Sequence, residues 1–272
     1  MFISPMLLHK ADEPFDDSNY LAELKLDGIR FLYTVDLQGR VRMYTRHKTE
    51  CTSRFPELQD LGLPPGTVLD GEIVVTDVQG KPDFEAMMQR FMSSKSGHKV
   101  SFVAFDILML NGESVRHMPL TDRKDILDDL ITEDTPLLSK MKFIEGNGVA
   151  MFELIKQQSL EGIVLKKKNS KYEANHRSHS WLKVINWQYD SCFVTGWRKE
   201  EFGWVLSDAA GNYMGIMELG VPKEQRRQMY KEPVIKETDK ISYIKPVPVD
   251  IKYRNYTKSG LFRLPSLVKA SS

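Results

Sequence analysis

The chain has 272 residues, 41% hydrophobic and 28% charged, the composition of an ordinary soluble globular protein with room for one large or two modest domains. No apolar run of about 18 residues could span a membrane, residues 1–13 lack the cationic and apolar regions of a signal peptide, and the two cysteines have neither C-x-x-C spacing nor a His cluster beside them, which sets aside a zinc site and leaves a reducing cytoplasm as the expected compartment. The net charge is only +1, yet residues 188–272 carry 14 Lys+Arg against 10 Asp+Glu while residues 1–187 carry 24 against 27, a split that fits a clamp on a phosphate backbone and equally a chance imbalance of solvated faces.

In chain order, strand-like runs cover residues 20–26, 29–35 and 68–76. Asp83 can cap a helix whose apolar face is Phe84, Met87, Met88 and Phe91. Met87, Met88 and Met92 read as core. A strand at 101–110 precedes a helix capped by Thr121 that carries Ile126, Leu127 and Leu130. A third helix at 149–160 carries Met151, Phe152, Leu154 and Ile155, and strands follow at 162–167 and 181–185. After Trp187 the period changes. Short alternating runs at 192–198, 203–207, 213–219 and 241–253, with one helix-like insert at 223–230, read as a small barrel. The class is α+β, with a boundary near residues 185–190; Trp181, Trp187, Trp197 and Trp204 read as packing residues.

The strongest motif is Lys25-Leu26-Asp27-Gly28-Ile29-Arg30, set between two strands. Its four fixed positions, K-x-D-G-x-R, arise by chance on the order of a few times per thousand proteins. Asp-Gly is also a hairpin-turn signal, so a charged turn is the alternative. Further along stand Thr45-Arg46, Arg54-Phe55-Pro56-Glu57-Leu58, Asp70-Gly71-Glu72, Val103-Ala104-Phe105-Asp106, Glu161-Gly162-Ile163-Val164-Leu165-Lys166 and Trp181-Leu182-Lys183. In this order the motifs resemble those of the covalent nucleotidyltransferase superfamily, and most closely the minimal bacterial and phage ATP-dependent DNA ligases. The resemblance implies a nucleotidyltransferase (ATP-grasp-like adenylation) domain over residues 1–187 and an OB-fold β-barrel over 188–272.

It also implies a reaction. Lys25 would attack the α-phosphate of ATP and carry AMP to the 5′-phosphate of nicked duplex DNA, where the adjacent 3′-hydroxyl displaces it. A lysine attacks only as the neutral amine, which takes a pKa shift of roughly three units, or about 4 kcal/mol. Arg30, Lys166, Lys183 and a bound Mg²⁺ or Mn²⁺ can supply it, whereas Asp27 and Glu161 push the other way unless they hold the metal. By resemblance, Glu23 meets the adenine amino group, Phe105 stacks on the base and Glu72 accepts from the ribose hydroxyls. Arg30 and Arg46 hold the ribose and the nick phosphate. Lys166 and Lys183 neutralise phosphate charge. From the residues alone, Phe105 also reads as plain core, and Lys166-Lys167-Lys168 as a solvated strand edge. Alternation lets at most two of those three lysines face one site.

Two departures stand out. The fifth motif of the family reads lysine, any residue, lysine, and here Ile185 takes the second place; Lys166, Lys168 or Arg177 would have to compensate. After Leu261-Phe262-Arg263-Leu264-Pro265 no R-x-D-K segment follows. Slow self-adenylylation is therefore expected, with sealing of a pre-adenylylated nick less affected. Only 24 residues precede Lys25, so ATP is expected rather than NAD. With no separate helical DNA-binding domain, grip on the duplex falls to the C-terminal charge and the segment 223–231. The chain is expected to act as a monomer without membrane contact. An RNA ligase or a capping-type guanylyltransferase would share K-x-D-G, and the two departures also suit a nick-binding protein with weak self-adenylylation.

Overall fold

The computed structural model describes residues 2–93 and 95–270. The chain divides into two compact units, Met1–Asn186 and Trp187–Ser272. In the first, chain order runs β1 (Leu7–Lys10), β2 (Tyr20–Leu24), β3 (Ile29–Val35), β4 (Val41–Thr45), β5 (Val68–Val74), α1 (Phe84–Met92) and β6 (Ser101–Leu110). It continues with β7 (Glu113–Ser114), α2 (Leu120–Leu130), β8 (Leu138–Lys140), β9 (Phe143–Glu145), α3 (Gly148–Gln157), β10 (Gly162–Lys167) and β11 (Arg177–Ile185).

These strands form two sheets. One has the order β1-β11-β10-β2-β9, the other β4-β3-β5-β6-β7 with β8 beside β6. An apolar layer holds them together: Leu21 and Trp181 from the first sheet pack with Leu32, Val68 and Leu108 from the second. The outer face of the second sheet, through Phe31, Tyr33 and Phe102, covers α1 and its Met87. The outer face of the first, through Ala22, Ile163, Leu165 and Val184, covers α3. Alternation along each strand thus gives every sheet an apolar outer face and a mixed inner face.

The helices differ from expectation in detail. Asp83 does cap α1, accepting the Ala86 N–H at 3.0 Å, but Met92 is exposed. α2 starts one residue before Thr121, behind Pro119, and Thr121 lies within its first turn. Its buried face is Leu120, Arg123, Lys124 and Leu127, an i, i+3, i+4, i+7 stripe with two cations inside it. In α3, Leu154 is exposed while Phe152 and Ile155 are buried.

The second unit contains β12 (Gln188–Arg198), β13 (Trp204–Ser207), β14 (Tyr213–Met217), α4 (Lys223–Met229), β15 (Val234–Glu237), β16 (Ile241–Tyr253) and β17 (Ser266–Ala270). Its sheet runs β14-β13-β12-β16-β15, with β17 also on β16. The expected closed barrel is corrected here: among the described residues no sheet closes. The long strand β16 changes register along its length. Opposite Val194 and Gly196 its register jumps from Val247 to Tyr243, and Pro246 in the skipped stretch has no N–H to donate. β15 therefore pairs with the first half of β16 and β17 with the second. The β14 side meets β17 through an isolated bridge, Leu219 to Ser266, instead of a ladder. The core of this unit gathers Val194, Trp204, Leu206, Met217 and Ile251.

Candidate active site

The segment from Lys25 to Gly28 is not a hairpin turn. β2 ends in one sheet and β3 begins in the other, so these residues carry the chain between sheets. Gly28 does not adopt a left-handed backbone. Glycine is needed for proximity: a Cβ there would lie 2.3 Å from the Ile73 carbonyl oxygen and 2.9 Å from Glu72 Cγ. At that close approach the Gly28 backbone N–H helps to lower the Glu72 pKa against the larger effect of burial. The Lys25 N–H donates to the Gly162 oxygen at 2.9 Å, one residue beyond the β2–β10 ladder. The Lys25 ammonium then lies 2.7 Å from Glu161 Oε2, with the two side chains only 20% and 9% exposed.

Register sets the next layer. Glu23 lies opposite Val164, which lies opposite Lys183; Leu21, Lys166 and Trp181 form the neighbouring row. Both rows share the inner face. Glu23 is 2% exposed and receives two ammonium groups, Lys166 Nζ at 2.6 Å on Oε2 and Lys124 Nζ at 2.5 Å on Oε1. The Lys166 ammonium also lies 4.5 Å from the Phe105 ring centroid and 4.2 Å from that of Trp181. Burial pushes the Lys166 pKa down to about 8; Glu23 pulls it up and Lys124 adds to the fall.

The facing sheet supplies Arg30, Glu72 and Phe105. Arg30 lies directly opposite Glu72. Its guanidinium grips Asp70 at two points, 2.9 and 2.6 Å. Burial works against this charge, but Asp70, with Tyr172 and Glu72 adding to its pull, outweighs burial and raises the Arg30 pKa. Asp70 also accepts from the Tyr172 hydroxyl at 2.6 Å, and that hydroxyl oxygen accepts the Met6 N–H at 3.0 Å. Burial pushes the Glu72 carboxyl up to about 7, with Lys25 and Arg30 pulling down and Glu161 pushing up. Phe105 owes its position to a bulge. Asp70 pairs with Asp106 and Gly71 with Ala104, which leaves Phe105 as the extra residue of β6. The half-buried ring lies 5.2 Å from the Arg30 guanidinium. Behind it Asp106 and Arg123, both fully buried, form a two-point pair at 2.8 and 2.8 Å.

Glu23, Lys25, Arg30, Glu72, Phe105, Glu161 and Lys166 are thus brought together. Lys183 is half-buried on the same inner face, in the row of Glu23. Asp27 is half-buried in the crossing segment. Arg46 is not gathered in: it stands in the exposed turn after β4, where Nε donates to His47 Nε2 at 2.9 Å. Of the lysine run, Lys166 faces inward, Lys167 is exposed and Lys168 pairs with Glu145 at 2.5 Å. Ile185 is buried opposite Gly162. Arg177 donates to the Leu8 carbonyl. Lys168 and Arg177 are therefore engaged elsewhere, and of the three cations that could offset Ile185 only Lys166 joins the cluster.

Among the described residues no group of three or more His, Cys, Asp and Glu side chains forms a metal cage. Glu161 and Asp27 are the kind of sparse carboxylate set that Mg²⁺ uses when substrate phosphates and water complete its shell. Sequence reasoning missed Lys124, Arg123 and Tyr172. For the first two a signal existed, since a charged pair sits inside the apolar stripe of α2. Tyr172, in a loop, gave none.

Comparison with known proteins bears on this geometry. A family model described as "ATP dependent DNA ligase domain" matches residues 5–184. The chain is 46% identical, over 98% of both chains, to the SPbeta prophage-derived DNA ligase-like protein LigB of Bacillus subtilis. It is 28% identical to the multifunctional non-homologous end joining DNA repair protein LigD of Mycobacterium tuberculosis, over 97% of this chain but 38% of that protein. Among solved structures it resembles a mycobacterial DNA ligase D complexed with ATP and MES, with a TM-score of 0.64, 25% identity, and 99% and 95% of the two chains covered. It shares its fold with a Lig E DNA ligase described as binding DNA with a minimal scaffold, with a TM-score of 0.70, 19% identity, and 99% and 100% covered.

Proposed function

The chain belongs to the ATP-dependent DNA ligase family, and from that premise we propose that it seals 5′-phosphate/3′-hydroxyl nicks in duplex DNA through a lysyl–AMP intermediate on Lys25. The observation that carries this reading is the placement of Lys25: it follows β2 directly, in the segment that crosses between the two sheets, with its ammonium 2.7 Å from Glu161. In the first step Lys25 Nζ, having lost its proton, bonds to the α-phosphorus of ATP and pyrophosphate leaves. In the second, a 5′-phosphate oxygen takes AMP from Lys25. In the third, the 3′-hydroxyl oxygen attacks that phosphate, the phosphodiester forms and AMP departs.

The residues divide the work. Glu161 holds the Lys25 ammonium and must release it before the nitrogen lone pair is available. Phe105 offers a face for the base, Glu23 an acceptor for its amino group and Glu72 acceptors for the ribose hydroxyls. Arg30, fixed by Asp70 and Tyr172, presents a guanidinium already aimed, and Lys166 and Lys183 supply positive charge for phosphate. A divalent cation, held by Glu161 and Asp27, would polarise the phosphate and draw the carboxylate off Lys25. We read residues 1–187 as the adenylylation domain. Residues 188–272 form an OB-like sheet whose positive balance grips the duplex, and the chain works as a cytoplasmic monomer. The test is a denaturing gel after incubation with α-³²P-labelled ATP and Mg²⁺. The wild type should carry acid-labile label and Lys25→Ala none. Label that persists in Lys25→Ala would overturn the nucleophile, and a wild type that neither takes label nor seals a pre-adenylylated nick would favour a nick-binding protein.

A further inference from the structure

Lys124 belongs to none of the motifs that define the site, yet it reaches the centre of it. It rises from α2, only 5% exposed, with its ammonium 2.5 Å from Glu23 Oε1 and 5.5 Å from the centroid of the Phe143 ring. Phe143 is the β9 neighbour of Glu23, while Lys166 approaches from β10 on the other side. Each carboxylate oxygen thus has its own ammonium, and the two arrive from opposite flanks. A carboxylate offers about four acceptor directions, so a further donor can be received from the side of the Phe105 ring once Lys166 moves off Oε2.

The two lysines are not equivalent. The Lys166 ammonium touches both Glu23, at 2.6 Å, and the Phe105 ring, 4.5 Å from its centroid. Lys124 is pinned to the rear by its helix, which is anchored in turn by the buried pair of Arg123 with Asp106. Burial and Lys124 both weaken the hold of charge on Lys166. A second, permanent clamp on Glu23 would let Lys166 leave the carboxylate without freeing it to rotate.

We propose that Lys124 is the positioning residue for Glu23, and that through this contact it sets the selectivity of the site for a purine bearing a 6-amino donor. The inference rests on the ligase reading and on the placement of the adenine amino group at Glu23. A preset carboxylate accepts an amino donor without first reorganising and opposes a 6-oxo purine, whose oxygen would face it.

The experiment compares single-turnover labelling of Lys25 by ATP and by purine riboside triphosphate, which keeps the ring system and lacks the 6-amino group. The full chain is used, with Lys124→Met, Lys124→Gln and Lys124→Arg. Wild type should prefer ATP by roughly 10- to 100-fold in rate over KM, the worth of one hydrogen bond to a charged group. Lys124→Met and Lys124→Gln should lose most of this preference, mainly through a raised KM for ATP, and should lose less with the analogue than with ATP. Lys124→Arg should keep it. Equal losses with both nucleotides, with the preference intact, would show that Lys124 only supports the fold and overturn the proposal. So would a Lys124→Gln variant that discriminates like wild type. A wild type that labels well but does not distinguish the two nucleotides would remove Glu23 as the reader of the amino group, and the inference with it, while leaving Lys25 as nucleophile.

Discussion

Glu72 shows how one residue's surroundings set both its chemistry and its cost. Burial raises its carboxyl from 4.5 to about 7, against the pull of Lys25 and Arg30. A folded pKa above the unfolded one stabilises the protein below the unfolded value, and that stability is lost as pH rises through the folded value. The Glu72 contribution is therefore complete below pH 4.5 and gone above about 7. Glu72→Gln removes the charge and with it the loss. Its melting temperature should exceed that of wild type by a few degrees at pH 8, with the gap closing as pH falls towards 4.5. Circular dichroism melts across this range would decide, and a gap that widened in acid would refute the assignment. The same variant should label Lys25 more slowly, because an amide offers the ribose hydroxyls one acceptor in place of two.

At the scale of elements, α2 matters more than its length suggests. Leu120 and Leu127 bury it, but Arg123 and Lys124 occupy the middle of the same stripe and tie it to β6 and β2. Arg123 has four donors placed, two on Asp106, one on the Met118 carbonyl and one on the Ser170 carbonyl. Removing it leaves Asp106 as an unpaired buried charge, and such losses cost about 3–5 kcal/mol. Arg123→Ala should therefore lower the urea midpoint sharply; a change below about 1 kcal/mol would mean that water or another cation already serves Asp106. The β6 bulge belongs to this scale too. Without the extra residue, strict alternation would turn either Phe105 or Asp106 away from the inner face.

For the whole molecule the question is how a chain with a net charge of +1 holds a polyanion. The excess of Lys and Arg lies in residues 188–272, and α4 is one place where it is exposed. Not every cation there is free for DNA. Arg226 lies 3.6 Å over the Phe202 ring and donates to the Val221 carbonyl, whereas Arg227, in a loose surface pair with Glu224 at 3.6 Å, and Lys231 are exposed. Binding to a nicked duplex should fall at least about tenfold between 50 and 200 mM salt, from release of counterions. The double change Arg227→Glu and Lys231→Glu should weaken binding and flatten the salt slope. Fluorescence anisotropy would measure both, and a slope unchanged by these substitutions would place the grip elsewhere.

The sequence by itself determined the chemistry and most of the strands. The K-x-D-G-x-R motif, paired carboxylates and an aromatic strand in fixed order are local patterns, and β3, β6 and β10 follow from local strand-like runs. The shape of the sheet in the second unit, the role of Gly28 and the partners of Glu23 were decided only in three dimensions. Whether a sheet closes depends on whether its two edges pair, and here, among the described residues, they meet only at the Leu219–Ser266 bridge, which no single run of residues encodes. Asp-Gly reads as a turn until the chain is seen to cross between sheets. Lys25 and Glu161 are 136 residues apart in sequence, and Lys124 touches Glu23 from a different element altogether. Burial and pairing at that distance are properties of packing, so the motif residues could be named from the chain, while the partners that hold them in place could not.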